Sequence, residues 1–261
     1  RTIDLASALE GFNHPNLIIN GPGANLLTVR RLNDAPNFAI FGISSNKTVT
    51  ISGLTLTGGA PNGDGGAIFN SGILTLRDCV LANNSGGHGG ALVSFATTTI
   101  IGCTFHNNHA FQTGGALDGG GTYTVTNSTF SANSANFGGG AIDLATGTAV
   151  LTNCTFVGNT AGFEGSQVRK ESNVTVLVRN SLVDHVSNAG PILFGAFTSL
   201  GNNLIGSSDG SNGFVNGANG DQIGTLAAPL NALLAPLANY GGATPTHALL
   251  PGSPAINAAQ S

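Results

Sequence analysis

The sequence predicts an all-β chain: a right-handed, single-stranded parallel β-helix, a solenoid of roughly ten coils with a less regular C-terminal segment. Three observations carry this expectation. First, a tetrapeptide Gly-Gly-Ala-(Ile/Leu) recurs at residues 65–68, 89–92, 114–117 and 139–142, with steps of 24, 25 and 25 residues. A constant step of this size means a stack of similar units. Second, the rest of each unit keeps the step. Leu81, Phe105, Phe130 and Phe156 occupy one position, and Asn84, Asn108, Asn133 and Asn159 stand three residues later. Third, segments such as Ile73-Leu-Thr-Leu76, Thr98-Thr-Ile-Ile101, Tyr123-Thr-Val-Thr126 and Val174-Thr-Val-Leu-Val178 are short, rich in Thr, Val and Ile, and close to period two. No 3.6-residue apolar stripe competes with this pattern, and forty glycines weigh against helices. The hand follows from the strong right-handed preference of parallel crossovers, and the coil number from length at about 25 residues per coil.

Along the chain, residues 1–183 read as coils, with clear repeats of 24–26 residues over 51–183, and residues 184–261 as final irregular coils and a capping segment. Arg1-Thr-Ile-Asp-Leu5 reads as a strand that begins without an amphipathic cap. Ile51-Ser-Gly-Leu-Thr-Leu56 is an early unit with Gly58-Gly59 where later units carry asparagines. Each coil should hold two or three strands, each pairing with its equivalent about 4.8 Å away in the next coil. The Leu81, Phe105, Phe130, Phe156 column should then fill the lumen, and the asparagine column should bond side chain to side chain from turn to turn. Cys79, Cys103 and Cys154, with Ser128 between the last two, share one position. Stacked parallel side chains point the same way, which predicts buried free thiols rather than disulfides. Beyond Asn180 the coil pattern fades. The Ala/Leu/Pro-rich stretch 226–237 reads as a short helix within a segment that covers the last coil.

Composition narrows the function. Charged residues make up 8% and the net charge is −4, so the basic footprint of a nucleic-acid binder is missing. No apolar run approaches the length of a membrane-spanning helix, so no membrane insertion by this chain is expected. Arg1 is no translation start, and a removed signal peptide or another boundary explains it. These features point to an exported chain, extracellular or at the cell surface. Five Asn-x-Ser/Thr sequons, at Asn46, Asn83, Asn127, Asn153 and Asn173, use the turn residues of the array itself.

The run from Asn16 to Val29, the unit from Val49 to Gly59, and the Gly-Gly-Ala-Ile units with Cys-Thr-Phe and Asn-Ser-Ala are similar to the right-handed β-helices of bacterial surface proteins, including polymorphic outer-membrane-protein repeats. More specifically, Asn202-Asn-Leu-Ile-Gly206 and the stretch from Pro236 to Ile256 resemble the closing signature of choice-of-anchor Q domain-containing proteins. The resemblance implies a β-helix displayed at, or released from, a bacterial surface. It implies no reaction. The chain stops at Gln260-Ser261, without the Asp-Gln-Arg-Gly-like segment and anchor that the resemblance would add.

The main chemical candidates are Asp118 and Asp143, at the same offset after the tetrapeptide in consecutive coils, and so about one strand spacing apart on an outer face. Such a pair raises one pKa and suits acid and base work on a glycan, or Ca²⁺ as a cofactor. The column reads Phe69, Val93, Asp118, Asp143, Val168, and its neighbours are not catalytic types; surface structure is the competing reading. Glu164, with the aromatic Phe111, Phe137 and Phe163 and with His88 and His109 in the preceding turns, would complete a saccharide groove. His106 and His109, three apart, lack a third metal ligand at a fixed spacing.

Two functions stay open. One is a non-enzymatic extracellular scaffold, adhesive or structural, whose partners are itself or other surface proteins, or glycans, and whose uncapped first strand favours end-to-end filaments. The other is a secreted polysaccharide lyase or glycoside hydrolase on the same fold.

Overall fold

The computed structural model describes residues 1–9, 15–185 and 190–258; Gln260 and Ser261 lie outside them. Every strand pairing among these named strands is parallel, and each strand meets its equivalent one coil away. A regular coil crosses four faces in order. The unit beginning at Gly89 places Leu92–Ser94 on the first face, Thr97–Ile101 on the second, Thr104–His106 on the third and His109–Ala110 on the fourth. Four short strands replace the two or three expected per coil, because the turn after the asparagine is itself extended enough to pair.

The third face stacks ten strands, from Thr2–Leu5 to Gln222–Ile223. The first and second faces merge into one sheet where Leu117–Thr126 and Ile142–Thr152 run unbroken across their corner, with a register shift at Gly119/Gly120. The solenoid makes about eight turns, slightly fewer than the length alone implied.

The lumen is filled as the columns require. Leu56, Leu81, Phe105, Phe130 and Phe156 are fully buried. Phe105 and Phe130 stack at 4.9 Å and 7°, and Phe130 and Phe156 at 4.9 Å and 6°. In the asparagine ladder, Asn84 donates to the Oδ1 of Asn108 at 3.0 Å, Asn108 to Asn133 at 2.9 Å and Asn133 to Asn159 at 2.8 Å. The same Oδ1 atoms accept the backbone N–H of the preceding asparagine, and each Nδ2 also donates to a lumen carbonyl such as that of Leu81. Gln167 and Asp184 end the ladder.

The glycine pair of the tetrapeptide has two separate causes. The first glycine turns the chain with positive φ, +56° at Gly89 and +67° at Gly114. The second packs under the next coil: a Cβ on Gly90 would come within 2.2 Å of the Gly115 carbonyl oxygen.

The cysteines are free and buried. Their column accepts backbone N–H groups, Cys79 N–H to the Cys103 sulfur at 3.5 Å, Cys103 N–H to Ser128 Oγ and Cys154 N–H to Ser181 Oγ. Burial pushes the Cys154 thiol up to about 12.

The C-terminal segment departs from expectation. The stretch 226–237 holds no helix; the one helical turn among the described residues is the 3-10 turn Ala218–Gly220. The segment folds back along the outside of the third face. Ala232, Leu230, Leu234 and Ala255 pack on the outward Leu182 and Leu204, an antiparallel bridge joins Ala238 to Thr246, and Thr104 donates to the Pro245 carbonyl at 2.5 Å. From Leu230 on it is a strap along the flank, whereas Phe214 and Ile223, earlier in the same segment, pack on the lumen core. No helix among the described residues is long and apolar enough to cross a membrane.

Candidate functional site

Asp118 and Asp143 are in register on adjacent strands of the first face. Contrary to the expected open surface, both are buried, at 8% and 3% exposure. The positive-φ glycine turns lie against them, with a Cβ on Gly139 only 2.7 Å from that of Asp143. The next member of the column is Arg169, paired with Asp143, whereas the expected Val168 pairs with Ile142 and is buried beside the lumen.

Arg169 organises the site. Its Nη1 donates to both Asp143 oxygens, at 2.8 and 3.1 Å; its Nε stands 3.6 Å from Glu164, and Nη2 donates to Glu171. Gly138 lets it do so: a Cβ there would meet the Arg169 Cδ at 2.4 Å, so the guanidinium reaches Asp143 across a bare glycine. One coil back, Thr113 donates to Asp118 at 2.6 Å and meets His88 Nδ1 at 2.7 Å. Burial, with Asp118 as the next contribution, raises the Asp143 carboxyl to about 6 against the opposing pull of Arg169. Asp118, whose Oδ2 stands 3.6 Å from the ring nitrogen, raises His88.

The aromatic candidates divide. Phe137 and Phe163 stack at 5.6 Å and 14°, exposed by 51% and 69%, whereas Phe111 turns aside to pack edge-on against His109 at 5.0 Å. Thr113, Phe137, Gly138, Phe163, Glu164 and Arg169 line an open groove of about 460 Å³. Glu164 is therefore in the groove, Asp143 beneath it, and Phe111 outside it. A larger hollow of about 700 Å³ lies between the third face and the C-terminal strap, but no carboxylate lines it.

Counting from the tetrapeptide missed Thr113 and Gly138, and it put Val168 in the column where Arg169, a residue within reach of the pair, stands. The fifth unit reads Gly165-Ser-Gln-Val168, and aligning on its positive-φ Gly165 puts Arg169 at the offset of Asp143. The histidines separate: His106 is on the third face and His109 on the fourth, while His247 anchors the strap through Ser131 and the Ala235 carbonyl. Among the described residues, no three or more His, Cys, Asp or Glu side chains converge to hold a metal ion. Arg169 also occupies both oxygens that Asp143 would offer Ca²⁺.

Comparison with curated proteins and with solved structures returns no match. The family model described as a right handed beta helix region matches residues 39–206, more than half of the chain and the whole of the Gly-Gly-Ala array. The register, the lumen ladders and this match together place the chain in the right-handed β-helix family.

Proposed function

We propose that the chain is a non-enzymatic β-helix scaffold, displayed outside the cell, that adheres to an uncharged saccharide through the Phe137 and Phe163 groove. One observation carries this reading: two phenylalanines stack in the open while Asp118 and Asp143 beside them are consumed by internal bonds and Glu164 faces Arg169. Stacked rings one coil apart form an apolar strip on which the C–H face of a sugar ring can lie. A general acid must reach the proton it transfers, and glycoside hydrolysis needs carboxyls on either side of the scissile bond. Asp118 and Asp143 instead stand one behind the other, buried and bonded to Thr113 and Arg169. One guanidinium faces three carboxylates, so the groove repels uronate polymers and favours neutral ones. That charge balance also weighs against the lyase alternative. Export and surface display are supported by the low charge and by the resemblance to surface β-helices. Retention on immobilised neutral polysaccharides, lost in Phe163→Ala, tests the reading.

A further inference from the structure

We propose that the second face is an ice-binding surface, independent of the aromatic groove. Outward side chains of this face form two threonine-rich columns, both threonine in the coils of Thr97/Thr99 and Thr122/Thr124; Thr48 and Ile73 precede Thr97 in the first column, and Val150 and Leu177 follow Thr124 in the second. Thr97, Thr122, Thr148 and Thr175 succeed one another in register in one column. Thr50, Thr75, Thr99 and Thr124 do so in the next. The strands alternate cleanly, with the residues between these columns pointing into the lumen and buried.

Four properties single out crystalline water as the occupant. The array repeats about every 4.8 Å along a column and roughly 6.7 Å between alternate residues of a strand, spacings of the same order as the oxygen repeats of hexagonal ice. None of these eight hydroxyls bonds to another side chain or backbone group among the described residues, so all are open to water. The central rows, residues 97–101, 122–126 and 148–152, carry no charge that would hold a hydration shell of its own, and Arg77 and Arg179 stand only at the margin. The platform is stiff: the register runs without a shift through the second face, and a β-branched residue has few χ1 choices, so hydroxyl and methyl are preset.

A protein partner would call for the aromatic and arginine anchors that dominate interfaces, and a polysaccharide for exposed rings. The array's centre has neither. Ice offers only a regular lattice of donors and acceptors, and a regular, uncharged, preordered array of weak contacts is what can match it.

The test uses the full chain in nanolitre osmometry and in ice-recrystallisation assays, beside Thr124→Lys at the centre of the array and Gln112→Lys in a turn off this face. The parent and Gln112→Lys should facet ice crystals and open a gap between melting and freezing; Thr124→Lys should lose the gap at an unchanged protein melting temperature. Thr99→Tyr, bulky and neutral, should lose it too and serves if the lysine variant melts lower. Round crystals with no gap in the parent overturn the proposal. So does a Thr124→Lys variant as active as the parent, or retention on crystalline polysaccharide that this substitution abolishes with no effect on ice. Loss of polysaccharide retention in Phe163→Ala with ice activity intact concerns the groove alone.

Discussion

Asp143 is a carboxylate buried between a second carboxylate and a guanidinium, and its protonation is coupled to folding. Its folded pKa, about 6, lies above the ordinary 3.8, so protonation favours the folded state. The stabilisation is complete below pH 3.8 and is lost as pH rises through about 6, a difference of about 3 kcal/mol at 1.4 kcal/mol per pH unit. His88, raised by Asp118, acts in the same direction at higher pH. Asp143→Asn cannot ionise, so melting curves of parent and variant should diverge between pH 4 and 6, the parent losing stability relative to the variant. Parallel curves would show that the carboxyl titrates normally. The carboxylate pair was legible from equal offsets after a repeated motif. Its burial was not, since that depends on Gly138, which precedes the tetrapeptide, and on Arg169, whose unit has lost the Gly-Gly-Ala pattern.

In the lumen, Phe130 is sandwiched between two parallel rings at 4.9 Å each. Phe130→Ala should cost about 3–5 kcal/mol, the range for deleting a buried aromatic, measured by denaturant unfolding against Ser211→Ala in a peripheral strand. Equal losses would put the ring outside the core.

At the scale of elements, each turn is held by the ladder beneath it. Asn108 satisfies the backbone N–H and side-chain amide of Asn84, the Leu81 carbonyl and the Asn133 Oδ1. Asn108→Ala should therefore destabilise by roughly 1–3 kcal/mol for each buried partner left unpaired. Native-state hydrogen exchange should show the opening concentrated in the coils on either side; uniform loss across the solenoid would contradict a local ladder. Elements in the array were readable because a coil repeats its own sequence, so that one column of like residues reports one position in space. The strap was not readable. Its contacts join Thr244 to Gly102 and His247 to Ser131, pairs far apart in sequence and without period, and its Ala/Leu composition mimicked a helix. Phe111 failed for a smaller reason: it stands two residues after His109, whereas Phe137 stands three after Ser134, so in register Phe111 meets Asn136 and Gln112 takes the line of Phe137.

For the whole molecule, ladders of Phe, Asn and Cys or Ser fix a rod whose faces differ in chemistry. Carboxylates turn inward to an arginine, and aromatic rings turn outward beside them. Under the proposed function, a rod of this kind holds a ligand in place rather than converting it. The most direct measurement is to incubate the protein with soluble neutral polysaccharides, following binding by calorimetry and chain length by size-exclusion chromatography in the same samples. The account predicts saturable binding by the parent, binding lost in Phe137→Ala and Phe163→Ala at unchanged melting temperature, and polymers of unaltered length. Shortening of any polymer by the parent that Asp143→Asn abolishes would contradict it, as would binding that survives removal of both rings.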